Sequence, residues 1–274
     1  MRHIWLVILA VLGLFSYAVA EETAQPAQPT PKTANLTPVM KAGEQLRYKV
    51  KVTATGNTIL PGASKPEPID TVVDLVISVK VGEPASDGSM PVSIAAQDAS
   101  AVIGGQRMVL PVSIFPTTTA LIDKNGEIKQ LLTSGSSELK MPGINSKNLI
   151  LLFRPNAPAG DVSVGSAWKK MMSLPPEPEK YDFACRFESI ESLNGKDTAK
   201  VRAELTVLPP PGEDYSAKGF VVTNYSLDGC KLMKSHAEMT VKLNNSKQQT
   251  DAPEKVEANI GVDVEPLTAG SPAK

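Results

Sequence analysis

Apolar and polar residues alternate with period two along most of the body of this chain. In Gln45–Thr53, Leu46, Tyr48, Val50 and Val52 fall on one face, and Arg47, Lys49, Lys51 and Thr53 on the other. In Val72–Val81, Val73, Leu75, Ile77, Val79 and Val81 stand opposite Asp74, Ser78 and Lys80, with Val76 out of phase. Lys200–Val207 sets Val201, Ala203, Leu205 and Val207 against Lys200, Arg202, Glu204 and Thr206. Lys231–Asn244 aligns Met233, Ala237, Met239, Val241 and Leu243 against Lys234, His236, Glu238 and Lys242, with Leu232 out of phase. Period two with one charged face predicts antiparallel sheet, buried on one side and wet on the other. A parallel α/β sheet would show continuous apolar strands separated by helices. The sequence offers one short helical segment, Asn145–Leu152, which stops before Pro155.

Asp87-Gly88, Asn125-Gly126, Asn194-Gly195 and Asp228-Gly229 are hairpin signals, supplying the positive φ that tight turns need. They expose a repeat. Asp87 and Asn194, Phe115 and Phe220, and Asn125 and Asp228 lie 107, 105 and 103 residues apart. Each half reads as an opening strand after a glycine (Gly43 or Gly165), a long hairpin and a second hairpin. The expected fold is therefore all-β and mostly antiparallel. Two related units of about 105 residues form a curved sheet, half-barrel or sandwich, with at most one or two short helices. The expected organisation is a signal peptide at 1–20, a Pro-rich linker at 21–40, β units at 41–143 and 144–245, and a flexible tail at 246–274, in which Ile260–Val264 can add an edge strand.

The start of the chain points to export. Met1-Arg2-His3 is a short basic region, Ile4–Phe15 is unbroken apolar sequence, and Ala18-x-Ala20 carries the small residues of a cleavage site. The apolar run is shorter than the ~20 residues that span a bilayer. The expectation is a secreted or periplasmic protein with no membrane span after cleavage. Asn35, Asn224 and Asn244 open glycosylation sequons, relevant only in a glycosylating host.

Composition narrows the chemistry. Of 274 residues, 42% are hydrophobic and 21% charged, an ordinary globular balance, and the formal charge is -1. A near-neutral chain without basic runs gives no electrostatic case for nucleic acid. Only His3 and His236 are histidines, which excludes His-rich metal sites and two-histidine mechanisms. His236 has polar neighbours on its face and is expected at the surface. Ser137-x-x-Lys140 matches a penicillin-recognising motif but lacks the Ser-Asp-Asn and Lys-Thr-Gly partners. Asp123-Lys124-Asn125-Gly126-Glu127 looks like the start of a calcium loop, yet Ile128 stands where its glycine belongs, so a hairpin turn explains it. Asp70 with Asp74, and Glu177 with Glu179, read as solvated carboxylates. No cofactor or metal site is expected.

Two features remain. Cys185 and Cys230 are the only cysteines, and an even pair in an exported protein suggests a disulfide. The alternation points Cys185 inward and sets Cys230 at a turn in phase with the wet face, which instead suggests two separate thiols. Trp168, Met171, Met172 and Phe183 can line an apolar pocket, or simply pack the core.

Three motifs carry a family likeness. Lys41-Ala42-Gly43-Glu44-Gln45-Leu46-Arg47-Tyr48-Lys49-Val50 forms an opening strand of the GetyrYkv type. Pro158, Val162, Val164, Gly165, Ser166 and Trp168 follow a VkvGdsW pattern. Tyr225, Asp228, Gly229, Leu232, Lys234, Ser235 and Met239 match a closing hairpin. With these the chain resembles a family of uncharacterised bacterial exported β-rich proteins. The resemblance implies an exported β protein and transfers no catalytic residues. The opening strand also resembles, more loosely, periplasmic lipoprotein-carrier half-barrels, which hold acyl chains in a curved sheet.

The expected function is a non-enzymatic exported protein that binds an apolar or amphipathic ligand on a concave sheet face. The alternative is a structural or protein-interaction module of the cell envelope, working through its surface and flexible ends, with an envelope protein as its partner.

Overall fold

In the computed structural model the described residues are 32–60, 63–123, 126–134, 157–158, 160–173, 179–210, 214–244 and 255–267. They form fourteen strands and one three-residue 3-10 turn at Val112–Ile114. The first half contributes β1 (Thr33–Asn35), β2 (Gln45–Ile59), β3 (Glu67–Val81), β4 (Met90–Ile103), β5 (Gln106–Val109), β6 (Thr117–Ile122) and β7 (Ile128–Ser134). The second contributes β8 (Asp161–Ser163), β9 (Ala167–Ser173), β10 (Lys180–Leu193), β11 (Lys196–Leu208), β12 (Tyr215–Ser226), β13 (Leu232–Asn244) and β14 (Lys255–Pro266). The signal segment, the first part of the linker, the Asn145–Leu152 segment, Glu177, Ser137 and Lys140 lie outside the described residues.

Twelve strands form one antiparallel sheet in the order β7-β6-β4-β3-β2-β14-β13-β12-β11-β10-β9, with β5 paired to β4. The expected all-β, antiparallel fold is what the chain adopts. Each half runs as a meander, and β14 against β2 joins them. That join corrects the reading of residues 246–274 as a flexible tail. β14 is a central strand, not an edge, because Val256, Ala258, Ile260 and Val264 alternate into the core. The linker reading fails in the same way at its end. Thr33–Asn35 pairs with β8, and Ala34 and Leu36 are buried.

The two exceptions to the alternation have local causes. The register slips between Asn224 and Tyr225, leaving Met233 as an extra residue of β13, so Leu232 turns inward and is buried. A second slip at Val76/Ile77 leaves Gln97 unpaired in β4. Such bulges bend a strand and increase its twist. Asn194-Gly195 is a true two-residue turn, with φ of 53° and 74°, joining Leu193 to Lys196. Gly104-Gly105 makes a second one between β4 and β5. The sequence carried that signal too, and the alternation alone did not pick it out. Phe220 lies in the middle of β12, so it is not the counterpart of Phe115, which precedes β6.

One core serves both halves. Tyr48, Val50, Leu75, Ile77 and Val79 from the first half join Phe183, Phe187, Tyr225, Leu232 and Val264 from the second. Among the described residues no helical layer covers this apolar face, so the sheet covers itself by curling. Lys170 of β9 reaches Glu127 beside β7, which brings the two edges of the sheet together. Those edge strands are not paired with each other among the described residues, so the curl stops short of a closed barrel. Two glycines accommodate the tight packing of the central strands. A side chain at Gly56 would stand 2.1 Å from the carbonyl oxygen of Glu257, and one at Gly219 would stand 1.9 Å from that of Glu238.

Candidate functional site

At one end of the curl, the start of β2, the end of β3, the start of β4 and the end of β6 lie side by side. The register pairs Leu46 with Val79, Val81 with Val92, and Met90 with Ile122. Their inward side chains face the β12–β13 turn from the other half of the chain. Between them is an apolar cavity of about 80 Å³. Its sheet walls are Leu46, Tyr48, Val79, Val81, Val92 and Ile122. Gly229, Cys230 and Leu232 close it on the far side, and Pro38, Val39 and Met40 run across it.

The mouth is polar. Glu44 and Lys231 form an ion pair there, and both line the cavity. Deeper in, burial holds the Tyr48 phenol well above the usual tyrosine range, and the nearby Glu44 carboxylate adds to the shift. The inner part of the site is therefore uncharged at neutral pH.

Cys185 and Cys230 are both buried and are not bonded to each other. The sequence placed Cys230 on the wet face. Its turn instead adopts a left-handed φ of 53° at Cys230 and rolls the side chain inward, where it is 3% exposed. Burial pushes both thiols up to about 12. Both stay protonated at neutral pH, so neither is an activated nucleophile. Burial holds the Tyr225 phenol well above the usual tyrosine range, and Cys230 and Cys185 add to the shift.

The expected Trp168, Met171, Met172, Phe183 pocket is only partly assembled. Met172 and Phe183 are buried in the core, and Trp168 packs against it across from Cys185. Met171 points to the other face and is 56% exposed, because the strand alternates strictly through β9. These four residues do not line the cavity at the Gly229 turn. Sequence reasoning missed that cavity. Its walls are ordinary core side chains from both halves of the chain, which meet where Glu44 and Lys231, 187 residues apart, also pair.

The outer face is polar. Its more open recess, about 350 Å³, is lined by Thr53, Thr55, Lys218, Phe220, Glu238 and Asn259, among others. His236 is part-exposed, as expected, and bonds Asp263 at 2.7 Å and Glu238 at 3.2 Å. The Asp263 hydrogen bond holds its pKa above the usual histidine value. Arg202 stacks 4.2 Å from the centre of the Phe220 ring. The Asp123 segment is a turn: Gly126 donates to the Asp123 carbonyl at 2.8 Å, and Glu127 N–H donates to the Asp123 carboxylate at 2.8 Å. Glu179 accepts from the Tyr181 hydroxyl at 2.8 Å. Among the described residues no group of three His, Cys, Asp or Glu side chains could hold a metal ion, and no helix is long and apolar enough to cross a membrane.

No protein-family model matches the chain, and no curated protein matches it. Solved structures do. A structure of lipid–protein interactions in lipovitellin superposes with a TM-score of 0.50 at 9% identity, covering 86% of this chain and 26% of that one. This chain thus spans about a quarter of the lipovitellin chain, and the likeness is one of fold. A protein with a YmcC-like fold from Bacteroides fragilis NCTC 9343 gives a TM-score of 0.25 at 11% identity, covering 84% of this chain and 97% of that one. A DUF1329 family protein from Desulfovibrio piger ATCC 29098 gives 0.21 at 10% identity, covering 84% and 88%.

Proposed function

We propose that this chain is an exported, non-enzymatic binding protein that holds the apolar part of an amphipathic ligand inside its curled sheet. The observation that carries the reading is the apolar cavity at the open end of the curl, with the Glu44–Lys231 ion pair at its mouth. A pocket with apolar walls and a few polar groups at its rim suits a ligand with a chain and a head. The fold shared with lipovitellin, whose structure concerns lipid–protein interactions, supports the reading. Export rests on the Met1–Ala20 signal pattern.

The test is titration of the purified protein with dansyl-labelled undecanoic acid. Saturable binding at one site per chain, with blue-shifted dansyl emission, is expected. No saturation below about 1 mM would overturn the reading.

A further inference from the structure

The cavity is small for the chain it would hold. A pocket of about 150 Å³ takes one benzene. About 80 Å³ therefore takes about three carbons. A longer aliphatic chain has to displace part of the wall. Part of the wall is sheet: Leu46, Tyr48, Val79, Val81, Val92, Ile122 and Leu232 lie on strands bonded into the antiparallel ladder. Opening there would break several ladder bonds at once.

The remaining wall is different. Glu44, Gly126, the Gly229–Lys231 turn and the Pro38–Met40 segment all lie outside any strand, and Pro38, Val39 and Met40 form the one continuous stretch of them that precedes β2. On one side of them Leu36 is fully buried behind β1, and on the other β2 begins. Between these anchors a backbone hydrogen bond ties the segment to the far wall, from Val39 N–H to the Gly229 carbonyl at 3.0 Å. Val39 itself is 52% exposed and adds little buried contact to that bond, and Met40 beside it is only partly buried against the core. A partly buried segment held by one backbone hydrogen bond opens more readily than the buried, ladder-bonded strands that form the sheet wall.

We propose that Pro38–Met40 is a gate. It swings away from the Gly229 turn to admit an aliphatic chain longer than about three carbons, then settles over it. The gate rests on the reading of the interior as a ligand site.

The geometry supplies a lock. A Cβ built on Gly229 would lie 3.6 Å from the Val39 Cβ. That separation falls within the roughly 3.5–4.5 Å range of a disulfide. In the double variant Val39→Cys with Gly229→Cys, peptide mapping establishes the new bond. A cysteine at the left-handed φ of Gly229 is strained in both redox states, so the oxidised and reduced forms are compared with each other. The oxidised form is expected to bind dansyl-labelled undecanoic acid at least tenfold more weakly than the reduced form. Equal affinity in the two states overturns the gate and leaves the ligand site standing. No binding by wild type or by the reduced variant overturns both. A second variant works without cysteines. Val39→Pro removes the N–H that bonds Gly229. Probe association measured by stopped flow is expected to speed up at least fivefold, and an unchanged rate overturns the gate.

Discussion

Gly219→Ala is expected to destabilise the fold by at least about 3 kcal/mol, read as a fall in the urea midpoint at unchanged slope. The cause is a direct clash. The new Cβ would stand 1.9 Å from the Glu238 carbonyl oxygen and 2.7 Å from the Met239 Cα. Both belong to the backbone of the neighbouring strand, so no side-chain rotation relieves the contact. β12 and β13 would have to move apart along a ladder that runs from Tyr215↔Leu243 to Tyr225↔Leu232. Gly43→Ala is the control. Gly43 has a φ of 77° but open space around its Cβ position, so the substitution bears only the left-handed penalty of roughly 1–2 kcal/mol. If the two variants lose the same stability, the close approach of β12 and β13 is not a feature of the folded protein.

Leu46→Phe is expected to weaken binding of dansyl-labelled undecanoic acid by about fiftyfold, with thermal stability unchanged or slightly raised. Leu46 is a partly buried wall residue that packs against the core, at the start of β2. Phenylalanine in place of leucine adds about three carbons, close to what the cavity takes. Filling it denies the probe the burial of about three methylenes. At ~0.8 kcal/mol each this removes about 2.4 kcal/mol of binding, or about fiftyfold. A variant with full stability and wild-type affinity would place the probe elsewhere.

The strands were legible because one charged face and one apolar face leave little doubt about which side is buried. In β2, Arg47, Lys49 and Lys51 mark the wet side at every second position. The two breaks in the alternation were also real signals. Leu232 falls out of phase because Met233 is a bulge residue, and the bulge belongs to the pairing with β12 rather than to β13 alone. β14 was harder. Val256, Ala258, Ile260, Val262 and Val264 alternate as clearly as any other strand, but acidic residues, Gly261 and a proline at each end gave the segment the composition of a tail. Its central position follows from what it pairs with, β2 and β13, which no local pattern states.

The site was less legible than the fold. Cys230 changes from a wet-face residue to a buried one through two successive left-handed turn residues, Gly229 and Cys230 itself. Leu36 stands alone among polar neighbours, and only the curl of the sheet gives it a core to enter. The cavity arises where two halves of the chain meet, and its walls are chemically the same as the rest of the core. Trp168 and Phe183 attracted notice as large side chains, yet large apolar residues mark good packing more often than empty space.

On the proposed reading the curled sheet carries an apolar ligand. The most direct measurement is native mass spectrometry of the protein purified from an exporting host without detergent, compared with its denatured mass. The expected result is extra mass in the native state that is lost on denaturation and belongs to a compound with an aliphatic chain. A native mass equal to the bare chain, together with no uptake of dansyl-labelled undecanoic acid, would contradict it.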